Sequence, residues 1–289
     1  MKLKKKRSHK NNVKIIFLII IILIAVVAII FLNATNNNDI DIIATEDYSV
    51  INKNSVSNQI DVLANDVGGD LLSINGVSSP SHGSATTDEN YIYYTPLNNF
   101  SGIDSFEYTV NNENGGTTTS KLNVIVSDEN PISLIDTSFG MIVLELYEDE
   151  APKTCENFIK LANDGFYDGM IFHRIMNDFM IQTGRYLPDE SEKQSPYGNI
   201  DFEGGLEHFD GVISMASTGT GVGGSSEFFI CDGAQHGLDG NYAVFGKTIY
   251  GIEVVRDIAD EPEDGSYGSV GGGKPYNDII INSVRIENN

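Results

Sequence analysis

IFHRIMNDFMIQTG, residues 171–184, decides how the chain is read. Ile, Phe and Met recur through it as in a buried strand, yet it carries a guanidinium at Arg174 and an amide at Gln182. A cation in such a setting is costly unless it is paired or meets a ligand. Taken alone, Arg174 reads as a strand-edge residue that extends its head to water. The flanking segments supply the other reading.

Upstream, residues 137–169 read as strand, turn, helix and turn. Met141, Val143 and Glu145 alternate with Ile142, Leu144 and Leu146, the period of a strand. Pro152 suits the first turn of a helix, and Phe158, Ile159, Leu161 and Ala162 supply much of its apolar face. Downstream come GVISMA (211–216), SSEFFIC (225–231) and LDGNYAVFGK (238–247). GTGVGGSS (219–226) is rich in glycine but lacks the G-K-[ST] ending of a phosphate loop and leads into no helix.

These blocks, together with APKTCENF (151–158), resemble the cyclophilin-type peptidyl-prolyl isomerases in order and spacing across about 137–287. The resemblance implies a domain over 131–289: a closed eight-stranded β-barrel capped by two helices, with EVVRDIA (253–259) supplying part of the second. It implies cis–trans isomerisation of X–Pro bonds, assisting protein folding; with the amino-terminal anchor read below, the expected substrates are exported or surface proteins. Arg174 corresponds to the catalytic arginine of the family. Phe179, Met180 and Gln182 correspond to its neighbours on that strand, and Ala216 to the contact with the residue preceding proline. Phe229 and Leu238 correspond to the floor and wall of the proline pocket, with Tyr242 beside them and Glu227 in the substrate groove. Rotation about a C–N bond breaks no bond, so no nucleophile, metal or cofactor is expected.

Three departures qualify the match. Glu227 stands where the family usually has glutamine; it could pair with Arg174 and compete with substrate, or accept a substrate N–H. Gly237 falls where some members carry a tryptophan that the resemblance ties to cyclosporin affinity, and this chain has no tryptophan, so weak inhibition is expected. The segment 185–205 lacks the family's glycine-rich loop. The alternative function these departures leave open is a non-catalytic module that binds proline peptides or serves adhesion. His173 reads as a packing residue, and His208 and His236 have no partners at zinc spacing.

Working back toward the amino terminus, residues 40–128 change character. Short β-branched and aromatic segments separated by Gly, Asn, Ser and Pro clusters indicate an antiparallel β-sandwich. IDVLAND (60–66), PSHGSAT (80–86) and YYTPLNNFSGIDSFEYTV (93–110) resemble the cadherin-like, immunoglobulin-like modules of microbial surface proteins. Asp61, Asn65, Asp66, Asp70 and Asp104 are oxygen donors of the kind calcium takes, so weak calcium binding by the sandwich is one reading. The other is ordinary turn and cap chemistry.

Residues 15–32 are 18 consecutive apolar residues behind a basic segment, 1–14, that holds seven of the 18 Lys and Arg. As a helix they would be roughly 27 Å long, close to the ~30 Å of a hydrocarbon core. They are therefore read as a transmembrane signal anchor, with a cleaved signal peptide as the competitor. Residues 33–39 form the linker beyond it. The positive-inside rule then places a single-pass protein in the cell membrane with its carboxy-terminal domains outside the cytoplasm. The remainder carries all 41 Asp and Glu against 11 bases, a surface that repels nucleic acid and excludes it as a partner. Cys155 and Cys231 are either packed or paired.

Overall fold

The computed structural model describes residues 41–69, 71–128 and 130–287. By compactness the described chain divides into two units. One comprises residues up to Asp47 together with 57–94 and 105–122; the other gathers 48–56, 95–104 and 123–289.

The amino-terminal strands are β1 (Asp47–Asn52), β2 (Asn58–Ile60), β3 (Leu72–Val77), β4 (Gly83–Thr87), β5 (Ile92–Pro96), β6 (Gly102–Asn112) and β7 (Thr117–Ser127). They form a four-stranded sheet in the order β1-β7-β6-β3 and a three-stranded sheet in the order β2-β5-β4. Along β6 the side chains of Phe106, Tyr108 and Val110 are buried while Glu107 is exposed, as a two-residue period requires. Among the candidate calcium donors, Asp61 accepts the Leu63 N–H at 3.2 Å and Asp66 accepts the Thr45 N–H at 2.8 Å. Asp70 lies outside the described residues. No group of three or more His, Cys, Asp or Glu that could hold a metal occurs among the described residues.

The carboxy-terminal strands are β8 (Ile132–Thr137), β9 (Gly140–Leu146), β10 (Arg174–Met176), β11 (Met180–Thr183), β12 (Val212–Met215), β13 (Phe228–Cys231), β14 (Ala243–Tyr250) and β15 (Ile281–Glu287). Helix α1 (Pro152–Asn163) starts with proline in its first turn, and α2 (Ile252–Ala259) follows β14. The eight strands form one sheet in the order β10-β11-β13-β12-β14-β9-β8-β15. Its core takes Phe158 and Leu161 of α1, Phe228, Phe245, Val255 and Ile258, all fully buried. Phe158 packs its ring against Tyr167, Phe228 and Phe245 at 5.4 Å each. Full burial of each such side chain contributes ~1.5–3 kcal/mol. Cys155 and Cys231 are both buried and unpaired, and burial pushes both thiols up to about 12.

Two expectations are corrected. The barrel is not closed by a ladder: the sheet ends at β10 on one side and β15 on the other. The short β10 spends its pairing on β11, and no ladder joins it to β15. The segments flanking them meet at isolated bridges, Ile171 to Ile280 and Ile175 to Gly273, and at bonds such as Phe172 N–H to Ile279 at 3.0 Å and Ile281 N–H to Met170 at 2.8 Å. The transmembrane helix is also corrected. No helix among the described residues is long and apolar enough to cross a membrane. The two α-helices among the described residues have 12 and 8 residues, and at 1.5 Å each both fall well short of ~30 Å. The run 15–32 itself lies outside the described residues. The membrane as partner, the signal anchor and the single-pass, outward-facing placement all rested on that helix and are set aside.

Candidate active site

The β10–β11 hairpin turns at Asp178, whose φ of 56° is a left-handed conformation that aspartate tolerates. Asp232 holds the turn by accepting the Asp178 N–H at 2.9 Å. Register pairs Arg174 with Gln182, and Gln182 in turn with Phe229 of β13. Alternation then sorts the side chains. Ile175, Ile181, Phe228 and Ile230 enter the main core, whereas Met176, Met180 and Phe229 belong to a separate apolar cluster with Leu238 and Tyr242. Arg174 therefore lies on the face opposite the core.

On that face is a cavity of about 150 Å³. Met180 and Phe229, only 2% and 5% exposed, form its base, and Phe179, Leu238 and Tyr242 form its apolar sides. Arg174, Gln182, Ala216 and Ser217 complete its lining. Eight of the nine site residues expected from sequence are thus gathered around one cavity. Met180 and Phe229 are core residues that also present an edge to it. The Tyr242 ring meets Phe229 edge-on at 5.7 Å.

The ninth, Glu227, lines an adjoining cavity of about 520 Å³ that Arg174, Gln182 and Ala216 also border. It does not pair with Arg174. Its carboxylate accepts from Gln182 Nε2 at 3.0 Å and Arg185 Nη1 at 3.3 Å, and lies 3.5 Å from His173 Nε2. Burial works against the charged form, but His173, Arg185 and Gln182 outweigh it and hold the carboxyl below its ordinary range. His173, buried as a packing residue should be, thus also faces this cavity.

Arg174 is held by backbone oxygens. Its Nε donates to the Gly271 carbonyl at 3.1 Å, and Nη2 donates to Val270 at 2.8 Å and Gly271 at 3.0 Å. The Tyr267 and Phe179 rings lie 5.1 and 5.8 Å from its Cζ. No carboxylate is paired with it among the described residues, and Nη1 has no hydrogen-bond partner there. Partial burial lowers its pKa from a very high ordinary value, which leaves it a cation.

Several of these contacts were not read from the sequence. Ser217 stands beside Ala216 in the cavity wall, and Tyr267, Val270 and Gly271 reach Arg174 from 93 or more positions away. Beneath the cavity the His208 ring stacks on Phe229 with centroids 6.0 Å apart. Burial lowers the His208 pKa, so the ring is neutral at pH 7: Nδ1–H donates to Asp239 at 3.0 Å and Nε2 accepts from Ser214 at 3.1 Å. Nothing in the sequence pointed to that support, since His208 and Asp239 stand 31 positions apart.

Comparison with known proteins settles the family. Residues 132–286, just over half the chain, match the profile of the cyclophilin type peptidyl-prolyl cis-trans isomerases. The chain belongs to that family. It catalyses cis–trans isomerisation of X–Pro bonds, as the resemblance implied. Residues 37–125 match the bacterial Ig domain, so an immunoglobulin-like domain precedes the cyclophilin domain. Peptidyl-prolyl cis-trans isomerase-like 1 of Rhizopus delemar is 43% identical over 127 residues, 43% of this chain and 76% of that protein. Peptidyl-prolyl cis-trans isomerase-like 3 of Gallus gallus is 38% identical over 160 residues, 54% of this chain and 95% of its own length. Peptidyl-prolyl cis-trans isomerase A of Dickeya dadantii is 38% identical over 161 residues, 53% and 83% of the two chains.

Proposed function

We propose that this cyclophilin domain accelerates X–Pro exchange by binding the twisted amide in the smaller cavity, with Arg174 as the catalytic group. A planar peptide bond resists rotation by ~18–20 kcal/mol because resonance must be lost. X–Pro bonds populate both isomers yet interconvert over tens to hundreds of seconds. Acceleration needs only tighter binding of the twisted, less conjugated amide than of either planar form. In the twisted state the prolyl nitrogen regains a lone pair, and a guanidinium N–H aimed at it stabilises that state selectively.

The observation that carries this reading is a guanidinium beside a residue-sized apolar cavity, with Nε and Nη2 occupied and Nη1 uncommitted. Phe179, Met180, Phe229, Leu238 and Tyr242 would hold the ring while the preceding carbonyl turns. Ala216 would border the residue before proline, and Gln182 would hydrogen-bond substrate backbone. The test is exchange of a short X–Pro peptide, followed by NMR, with the wild type and Arg174→Ala. Peptide binding with no faster exchange would leave a peptide-holding groove and sink the catalytic assignment.

Two further outcomes are expected at this site. Glu227 already has three partners and a compensating cation in Arg185, so Glu227→Gln should change kcat/KM by less than about fivefold, in line with the ~0–1 kcal/mol typical of partly exposed ion pairs. A loss of tenfold or more would instead place its carboxylate against substrate. Cyclosporin should inhibit weakly. At Gly237 a Cβ would meet nothing within 4 Å, so the first side-chain atom of Gly237→Trp enters open space. Burying that aromatic surface against the ligand at ~1.5–3 kcal/mol should tighten inhibition roughly tenfold to hundredfold, read from inhibition curves.

A further inference from the structure

We propose that the loop spanning residues 263–274 is the positioning element of the site, and that Tyr267 clamps the Arg174 guanidinium so that Nη1 alone is left for substrate. The inference rests on the reading of Arg174 as the group that meets the prolyl nitrogen.

The loop is built to reach β10. Ile175 N–H donates to the Gly273 carbonyl at 3.0 Å, and Gly273 N–H returns a bond to Ile175 at 3.2 Å. Gly271 and Gly272 have φ of 79° and 77°, which side chains rarely adopt. A Cβ at Gly272 would lie 2.4 Å from the Ile175 oxygen, and one at Gly271 would lie 2.7 Å from Met176 Sδ. At residue 272 only bare backbone can approach this closely. The base of the loop is tied by Asp264, whose carboxylate accepts the Ser266 and Lys274 N–H groups at 2.9 Å each. Tyr267 N–H bonds to the Gly272 carbonyl at 3.2 Å, which ties the backbone across the loop, and its ring lies 5.1 Å from Arg174 Cζ.

The choice of partners has a chemical consequence. A carboxylate would satisfy Arg174 but cancel its charge and compete for the substrate-facing N–H groups. Carbonyl dipoles satisfy the donors on one edge while the cation stays whole, and the Tyr267 face adds attraction through its quadrupole. The planar fork cannot swing when Nε and Nη2 are both held, so the remaining nitrogen has a fixed aim.

The experiment measures X–Pro exchange with the full chain carrying Tyr267→Phe, Tyr267→Ala, Arg174→Ala and the last two combined. Tyr267→Phe keeps the ring face and should stay within about twofold of wild type. Tyr267→Ala should lower kcat/KM by roughly threefold to tenfold, the range expected for one cation–π contact, mainly through kcat. In the Arg174→Ala background Tyr267→Ala should change nothing further, because the ring acts through the arginine. The Arg174 Nε–H NMR signal gives a second readout: its exchange with solvent should speed up in Tyr267→Ala. Equal losses from Tyr267→Ala in both backgrounds, or an unchanged Nε–H signal, would overturn the loop's role while leaving the Arg174 assignment standing. A silent Arg174→Ala would overturn both.

Discussion

Arg174→Ala is expected to lower kcat/KM for X–Pro exchange by about 10²–10³, the loss seen when one donor aimed at a transition state is removed, ~2.7–4 kcal/mol. The loss should fall on kcat, because the lone pair on nitrogen exists only in the twisted state and the planar ground states gain little from the contact. The fold should survive. Arg174 lies on the face away from the main core and leaves no buried carboxylate unpaired, and the carbonyls of Val270 and Gly271 stand at the edge of the cavities. Arg174→Lys should recover only a minor part, since one ammonium cannot span two carbonyls and still face the prolyl nitrogen. Exchange NMR with thermal unfolding of the same samples checks both halves. A fully folded variant with less than a threefold loss would remove Arg174 from the mechanism.

The stability of the immunoglobulin-like region should fall as pH rises from 5 to 8, and Asp47→Asn should abolish most of that fall. Asp47 is only 9% exposed, and its Oδ2 lies 2.6 Å from the Tyr108 hydroxyl. That hydroxyl also approaches the Thr45 and Val62 carbonyls, both at 3.2 Å. It has one proton for three oxygens. The shortage eases if Asp47 is protonated and donates to Tyr108, which then donates to one of the two carbonyls. Burial first, with the charges of Asp66 and Asp61, raises the Asp47 pKa to about 7 against the hydrogen bonds of Tyr108 and Asn65.

The sign follows from proton binding. Below pH ~4, folded and unfolded chains both hold the Asp47 proton, since the unfolded value is ~3.9. Between there and about 7 only the folded chain holds it, so each rise in pH disfavours folding. Above that the penalty is complete, on the order of 2–4 kcal/mol for a carboxyl that titrates at about 7 folded and ~3.9 unfolded. A domain of this size would lose roughly 10 °C or more in Tm. Calorimetry of wild type and Asp47→Asn at pH 5 and 8 measures it. The same pH slope in both proteins would show that another group is responsible.

Much of the site was legible because a strand's period is two. The alternation in 171–184 assigns Ile175 and Ile181 to one face and Arg174, Met180 and Gln182 to the other, and the structure keeps that sorting. Pro152 marked the start of the first helix for the same local reason, since its missing N–H is an orphan there in any case. The family was legible from five ordered blocks. The closed barrel was not, because closure depends on whether two edges separated by more than 100 residues meet as a ladder or at single bridges. The membrane helix was inferred from hydropathy alone, and no described helix supports it.

Glu227 shows the boundary between the two kinds of knowledge. Its identity announced a carboxylate in the groove, but residue type could not choose between Arg174 and Arg185 as its partner. The choice followed from the packing beyond the end of β11, which brings Arg185 Nη1 within 3.3 Å of the Glu227 carboxylate while the carbonyls of residues 270 and 271 hold Nε and Nη2 of Arg174. By itself the sequence determined which residues share a face, because side-chain direction follows the local backbone. Only the tertiary structure decided which atoms satisfy Arg174, a contact 97 residues long in sequence, because it depends on how distant loops pack.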